Sequence, residues 1–155
     1  MTELKIGVVD VLVVRLADDG WRVLLLRRGT GTRCTGAWEI VHGSIEPGER
    51  PAAAALREVG EETGLTVQRL YNVTAHLFHL HQNDTVQVAV AFCAFVTPEE
   101  REVRLGNEHD HYEWLAVDEA MTRLLWPQER RTLADAYDLL RNGDAASADD
   151  VLRVI

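Results

Sequence analysis

Residues 51–63 read PAAAALREVGEET, a run of strong helix formers set between stretches that read as strands. Pro51 suits a first helical position and Gly64 suits the residue just past a helix end. That bounded helix, between two β-rich halves, confines the chain to an α/β fold. Ahead of it, Ile6 to Leu16 is a β-branched run closed by Asp18-Asp19-Gly20. Trp21 to Leu26 resumes the apolar pattern and ends in Arg27, Arg28 and Gly29, so residues 5–28 read as a hairpin. Gly29 to Gly36, small and polar, is expected to be a loop. After the helix, Leu65 to Leu80 and Thr85 to Val96 read as strands around Asn83-Asp84. Both faces of the second are largely apolar, as in a buried central strand. Glu99 to Asn107 reads as a charged loop, with a short strand near Tyr112 to Leu115. Helices are expected over Val117 to Leu125 and Pro127 to Leu140, followed by a weakly patterned tail over 142–155. No repeat or linker interrupts the chain. A single domain over 1–155, with mixed strand directions, is the expectation.

Charge narrows the function. Sixteen Lys+Arg against 25 Asp+Glu give a net charge of −9. This argues against nonspecific nucleic-acid binding and against anchoring on an anionic membrane. No apolar run approaches the roughly 18 residues that a membrane span needs. With 46% hydrophobic residues, the chain is too apolar to be disordered. Cys34 and Cys93 make no disulfide framework, no local base activates either, and MTELKIGVVD lacks the pattern of a secretory leader. A cytoplasmic location is expected.

Within the helix, Glu58, Glu61 and Glu62 stand at i, i+3 and i+4, which places three carboxylates on one face. Like charges at such spacing oppose a helix by roughly 0.2–0.5 kcal/mol per pair. Divalent cations among them would reverse that cost, and Mg²⁺ or Mn²⁺ suits hard oxygen ligands. From spacing alone, a solvated glutamate-rich face stays open as the alternative.

The surroundings decide between them. Gly43, five residues, Glu49, seven residues, then Arg57-Glu58-Val59-Gly60-Glu61-Glu62-Thr63-Gly64-Leu65 resemble the Nudix box at every specified position. Seven fixed identities, each with a background frequency near 0.06, multiply to below about 10⁻⁸ per starting point. The match spans residues 43–65. The resemblance implies an α/β/α sandwich with a mixed sheet, and Mg²⁺-dependent hydrolysis of a nucleoside diphosphate linked to another moiety. It implies that Glu58, Glu61 and Glu62 are metal ligands, and that Arg57 and Glu49 pair to orient the carboxylate helix. Gly43 and Gly48 are expected to let the backbone turn sharply before the helix. Where relatives carry a double glycine, this chain has His42. Its carbonyl could still serve as a ligand, with the imidazole expected beside the metals.

Pyrophosphate hydrolysis needs charge neutralisation and a positioned water rather than a covalent nucleophile. Glu61 or Glu62 would be the base, Glu61 being the first choice. The run Glu108-His109-Asp110-His111-Tyr112-Glu113-Trp114-Leu115 is similar to the E-H-x-x-Y-x-W-L segment of two Nudix branches. These are the dihydroneopterin triphosphate pyrophosphatases and the dinucleoside polyphosphate hydrolases. The likeness implies that Glu108 is a metal ligand or base from the far side of the cleft. Arg27 and Arg28 are candidates for binding phosphate, Trp38 for stacking on a base and Gly43 for lining the substrate site, against the plainer roles of strand end and buried anchor. Trp114 and Trp126 are expected in the core. His79 and His81, placed on one strand face, and His76 are expected to line the cleft or the surface rather than bind zinc. His109 and His111 flank the site, where phosphate contact and loop packing are equally open. The expected partner is a small nucleotide-like molecule, in one of three arrangements: a triphosphate pyrophosphohydrolase, a dinucleoside polyphosphate hydrolase or a silent nucleotide sensor. Exposed strand edges leave room for a homodimer.

Overall fold

The computed structural model describes residues 1–155. The hairpin forms as expected: β1 (Glu3–Ala17) pairs antiparallel with β2 (Gly20–Arg28), Val14 opposite Val23 and Ala17 opposite Gly20. Two short strands not expected from the sequence follow, β3 (Trp38–Glu39) on β2 and β4 (Val41–Ser44) on β1. Their brevity hides any alternation. Helix α1 spans Pro51–Thr63 and ends on Gly64, whose φ of 70° is left-handed and whose N–H donates to the Gly60 carbonyl. Strands β5 (Arg69–Leu80) and β6 (Thr85–Phe95) form the next hairpin, and β6 also runs parallel to β1. That central place between two partners explains its apolar faces. β7 (His109–Leu115) pairs with β2, three residues longer at its start than expected. The seven strands make one mixed sheet.

Alternation along β1 divides the core. Val9, Val11 and Val13 face α1 with Leu24, Leu26, Ala54, Ala55 and Val59. Leu12 and Val14 face the other way, towards α2 (Val117–Arg123) and α3 (Pro127–Leu140), packing with Leu25, Phe95, Leu133 and Ala136. Helices on both faces of a mixed sheet make the α/β/α sandwich.

Three expectations need correction. The strand expected from Leu65 begins only at Arg69, because Thr63 Oγ1 accepts the Leu65 N–H and holds the chain in a helix exit. The tail is not featureless: α4 (Asp149–Leu152) leads to Val154, whose N–H donates to the Leu70 carbonyl at 2.7 Å, while Tyr71 donates to Asp149 at 2.7 Å. Backbone pairing and one phenol hold it, so no apolar period was there to read. Trp114 and Trp126 are half-buried, each with its indole N–H turned to a polar partner, Arg101 O and Glu39 respectively. The buried tryptophan is Trp21, edge-on to Phe95 and Tyr137.

Candidate active site

Glu58, Glu61 and Glu62 emerge from α1 into a cavity of about 660 Å³ that no hydrophobic residue lines. Its other walls are His42, Gly43 and Ser44 of β4, Arg28 at the end of β2, and Gly106 to His109 leading into β7. Four of the carboxylates and cations singled out in the sequence therefore meet Glu108 across one concavity. Arg27 and Trp38 do not. They face each other in the β2–β3 register, outside the cavity; Arg27 Nε binds Asp110 at 2.8 Å, and Trp38 lies beneath Arg27 and Arg123.

Arg57 organises the carboxylates. Its Nε and Nη2 each donate to Glu49 at 2.9 Å in a two-point fork, and Nη2 also donates to the Ser44 carbonyl. Nη1 reaches Glu58 at 2.7 Å and Glu61 at 3.3 Å. The guanidinium, helped by the Glu46 N–H, holds the Glu49 carboxyl down at about 2. One cation thus ties the loop before α1 to two acids on its face.

Gly48, with φ of 78°, supplies the expected turn. Gly43 does something else. It is extended within β4, and a Cβ there would stand 2.0 Å from Glu58 Cδ. Close approach, not turning, requires the glycine.

Glu62 is buried, its Oε2 has no hydrogen-bond partner, and burial followed by the charges of Glu58, Glu108 and Glu39 pushes its carboxyl up to about 9. Burial also raises Glu58, against the pull of Arg57. An orphaned oxygen and crowded acids are a donor set that a hard cation would satisfy. The side chains are not already gathered into a ready-made cage of three, since Arg57 engages Glu58 and Glu61.

His42 also lines the cavity, with its imidazole paired to an acid that was not expected. Its neighbours Val41 and Gly43 face α1, so alternation turns the imidazole away, and Nδ1 lies 2.5 Å from Oδ1 of the buried Asp10. Against the lowering effect of burial, Asp10 raises the imidazole's affinity for a proton. The imidazole therefore pairs with Asp10, while His42 itself lines the cavity beside Gly43 and close enough to feel the charge of Glu58. His109 is buried too, and its Nε2 donates to the Glu39 carboxylate at 2.9 Å. Glu39 in turn holds Arg28 at 3.0 Å, and burial's tendency to raise its carboxyl is outweighed by His109 and Arg28. Arg28 then faces Glu108 at 3.6 Å. On α3, the buried Glu129 accepts the Ile40 N–H at 2.8 Å, and burial followed by Asp10 raises it well above the ordinary value. Asp10, Glu39 and Glu129 were missed in the sequence. The readable signal was a lone acid inside GVVDVLVV and another between Trp38 and Ile40. His81 lies past the end of β5, so it does not share a strand face with His79, which contacts Asp84 at 3.4 Å.

These raised acids set a sign. Folding favours the protonated form of Glu62, so its contribution is full below about 4.5 and is lost as pH rises towards about 9. Glu129 and the raised His42 act in the same direction. In EDTA, the melting temperature should fall by about 10 °C between pH 6 and pH 9, and Glu62→Gln should flatten that slope. Calorimetry at both pH values decides it; an unchanged slope in the variant would remove Glu62 as a cause.

The fold and this acid-lined cavity define the class. The chain matches the NUDIX domain family over residues 8–136 and belongs to that family, the class of the Nudix hydrolases. It is 38% identical over 130 residues to an octanoyltransferase of Myxococcus xanthus, covering 83% of this chain but only 36% of that protein. It is 30% identical over 131 residues to the asymmetrical bis(5'-nucleosyl)-tetraphosphatase of Rattus norvegicus, covering 83% of this chain and 87% of that one. The structure of the E. coli dihydroneopterin triphosphate pyrophosphohydrolase superposes with a TM-score of 0.66 at 29% identity, covering 86% of this chain and 95% of that one. No helix is long and apolar enough to cross a membrane.

Proposed function

We propose that residues 1–155 act as one domain that cleaves a diphosphate linkage in a nucleoside triphosphate-like or pterin triphosphate substrate, using Mg²⁺ or Mn²⁺. The observation that carries this is the cavity itself, where Glu58, Glu61, Glu62 and Glu108 face Arg28 with no apolar lining. Such walls suit phosphates and cations, not an acyl chain. Glu58, Glu61, Glu62, Glu108 and the His42 carbonyl would hold the metals. When bound, these neutralise phosphate charge and lower the pKa of water. Arg57 and Glu49 keep the ligand carboxylates aimed. Arg28, pinned by Glu39 and by the Arg33 carbonyl at 2.5 Å, presents a fixed guanidinium to a phosphate. Glu61 or Glu62 takes the proton from the attacking water. Arg27 and Trp38, one register step along from Arg28, would meet whatever part of the substrate extends beyond the cavity.

A second reading, hydrolysis of a dinucleoside polyphosphate, is supported by the likeness to the rat enzyme across most of both chains. Turnover with Mg²⁺ would be tested on dATP, other nucleoside triphosphates, dihydroneopterin triphosphate and dinucleoside tetraphosphate, with products weighed after reaction in ¹⁸O water. The expected result is pyrophosphate release from a triphosphate. Asymmetric splitting of the tetraphosphate into mono- and trinucleotide would favour the second reading. No turnover on any member would leave a silent nucleotide-binding domain.

A further inference from the structure

At the other end of β1 and β2 from the acid-lined cavity, Arg15 and Arg101 line a second cavity, and neither has a carboxylate as an ion-pair partner. Arg15 of β1 stands directly opposite Arg22 of β2. Like charges in that cross-strand position destabilise a sheet. Arg22 is compensated by two hydrogen bonds to Asp19, at 2.7 and 2.9 Å. Arg15 is not: no carboxylate lies within ion-pair distance of it, although the chain has nine more acids than bases. Its Nε is buried and has no hydrogen-bond partner. Burial, then Arg101, then Arg22 weaken its hold on its proton.

The surroundings hold this guanidinium in place. Its carbon lies 5.2 Å from the centroid of the Trp114 ring, within cation–π distance. The indole N–H of Trp114 donates to the Arg101 carbonyl at 2.8 Å, which ties the loop to the same platform. Arg101 likewise forms no ion pair. Both arginines open on a cavity of about 520 Å³, whose rim also carries Asp18, Asp19 and Glu99.

We propose that Arg15 and Arg101, backed by Trp114, form a binding site for one small oxyanion of the phosphate class. The two guanidiniums supply N–H donors that a tetrahedral anion accepts. Of the rim acids, Asp19 is already engaged by Arg22, which leaves Asp18 and Glu99 facing an entering anion. The site is independent of the cleavage chemistry proposed above. The loop over 97–108 lines both cavities, with Pro98, Glu99 and Arg101 here and Gly106, Asn107 and Glu108 there.

The test is a titration of the full chain in EDTA with inorganic phosphate and, separately, with AMP, following the four indole N–H resonances by ¹⁵N NMR, that of Trp114 assigned through Trp114→Phe. A saturable shift of the Trp114 resonance is expected. Saturation by phosphate identifies the free anion as sufficient, and saturation by AMP alone identifies a phosphate ester as the ligand. Arg15→Met and the exposed Arg101→Met should each weaken the response at least tenfold, while Arg28→Met, in the other cavity, leaves it unchanged. Absence of saturation with both probes, or an undiminished response in folded Arg101→Met, would overturn the site.

Discussion

Replacing Glu58 by glutamine should lower turnover about a thousandfold, equivalent to roughly 4 kcal/mol of barrier, with the melting temperature held within a few degrees. Glutamine keeps the shape that packs against Gly43 and can still accept from Arg57. Only the charge is lost. Folding already disfavours that charge, because burial raises the Glu58 carboxyl, so removing it carries little structural cost. Its loss falls instead on the cations that the acids would share with a substrate's phosphates. Steady-state kinetics beside calorimetry and Mn²⁺ binding by EPR separate the two effects. Turnover equal to the parent's would discard Glu58 as a metal ligand.

Gly43→Ala should cost about a hundredfold in turnover by a steric route. The added Cβ falls 2.0 Å from Glu58 Cδ and 2.5 Å from its Cγ. The strand has no room to withdraw, since Gly43 pairs with Val9 of β1. The helix has none either, with Ala54, Ala55 and Val59 fully buried against the sheet. What can move is the Glu58 side chain, which must leave Arg57 to do so. The damage therefore runs through one carboxylate. Gly43→Ala added to Glu58→Ala should reduce turnover no further than Glu58→Ala alone. Additive losses would show that the glycine acts through something other than Glu58.

How far this site could be read in advance depended on sequence separation. Glu49 and Arg57 are eight residues apart, and the fork between them was expected from the motif that contains both. Asp10 and His42 are 32 apart, Glu39 and His109 are 70 apart, and Ile40 meets Glu129 across 89. None of those pairs carries a spacing rule, because strand register and helix docking bring them together. Gly43 was legible as a required glycine, but its reason lay in the distance between β4 and α1. Arg27 and Arg28 looked equivalent in the chain. Alternation along β2 sent one to Asp110 and the other to Glu39 and the cavity.

Local chemistry was written along the chain itself: the helix from Pro51 to its left-handed stop at Gly64, the acids on one face of it, and the family to which that segment belongs. Those depend on residues within a few turns of each other, where backbone geometry leaves little freedom. Tertiary structure alone decided which acid each imidazole meets, which arginine enters the cavity, and which buried carboxylates stand behind it. Such choices are made by side chains meeting across strands and layers, and a one-dimensional pattern carries no record of those meetings.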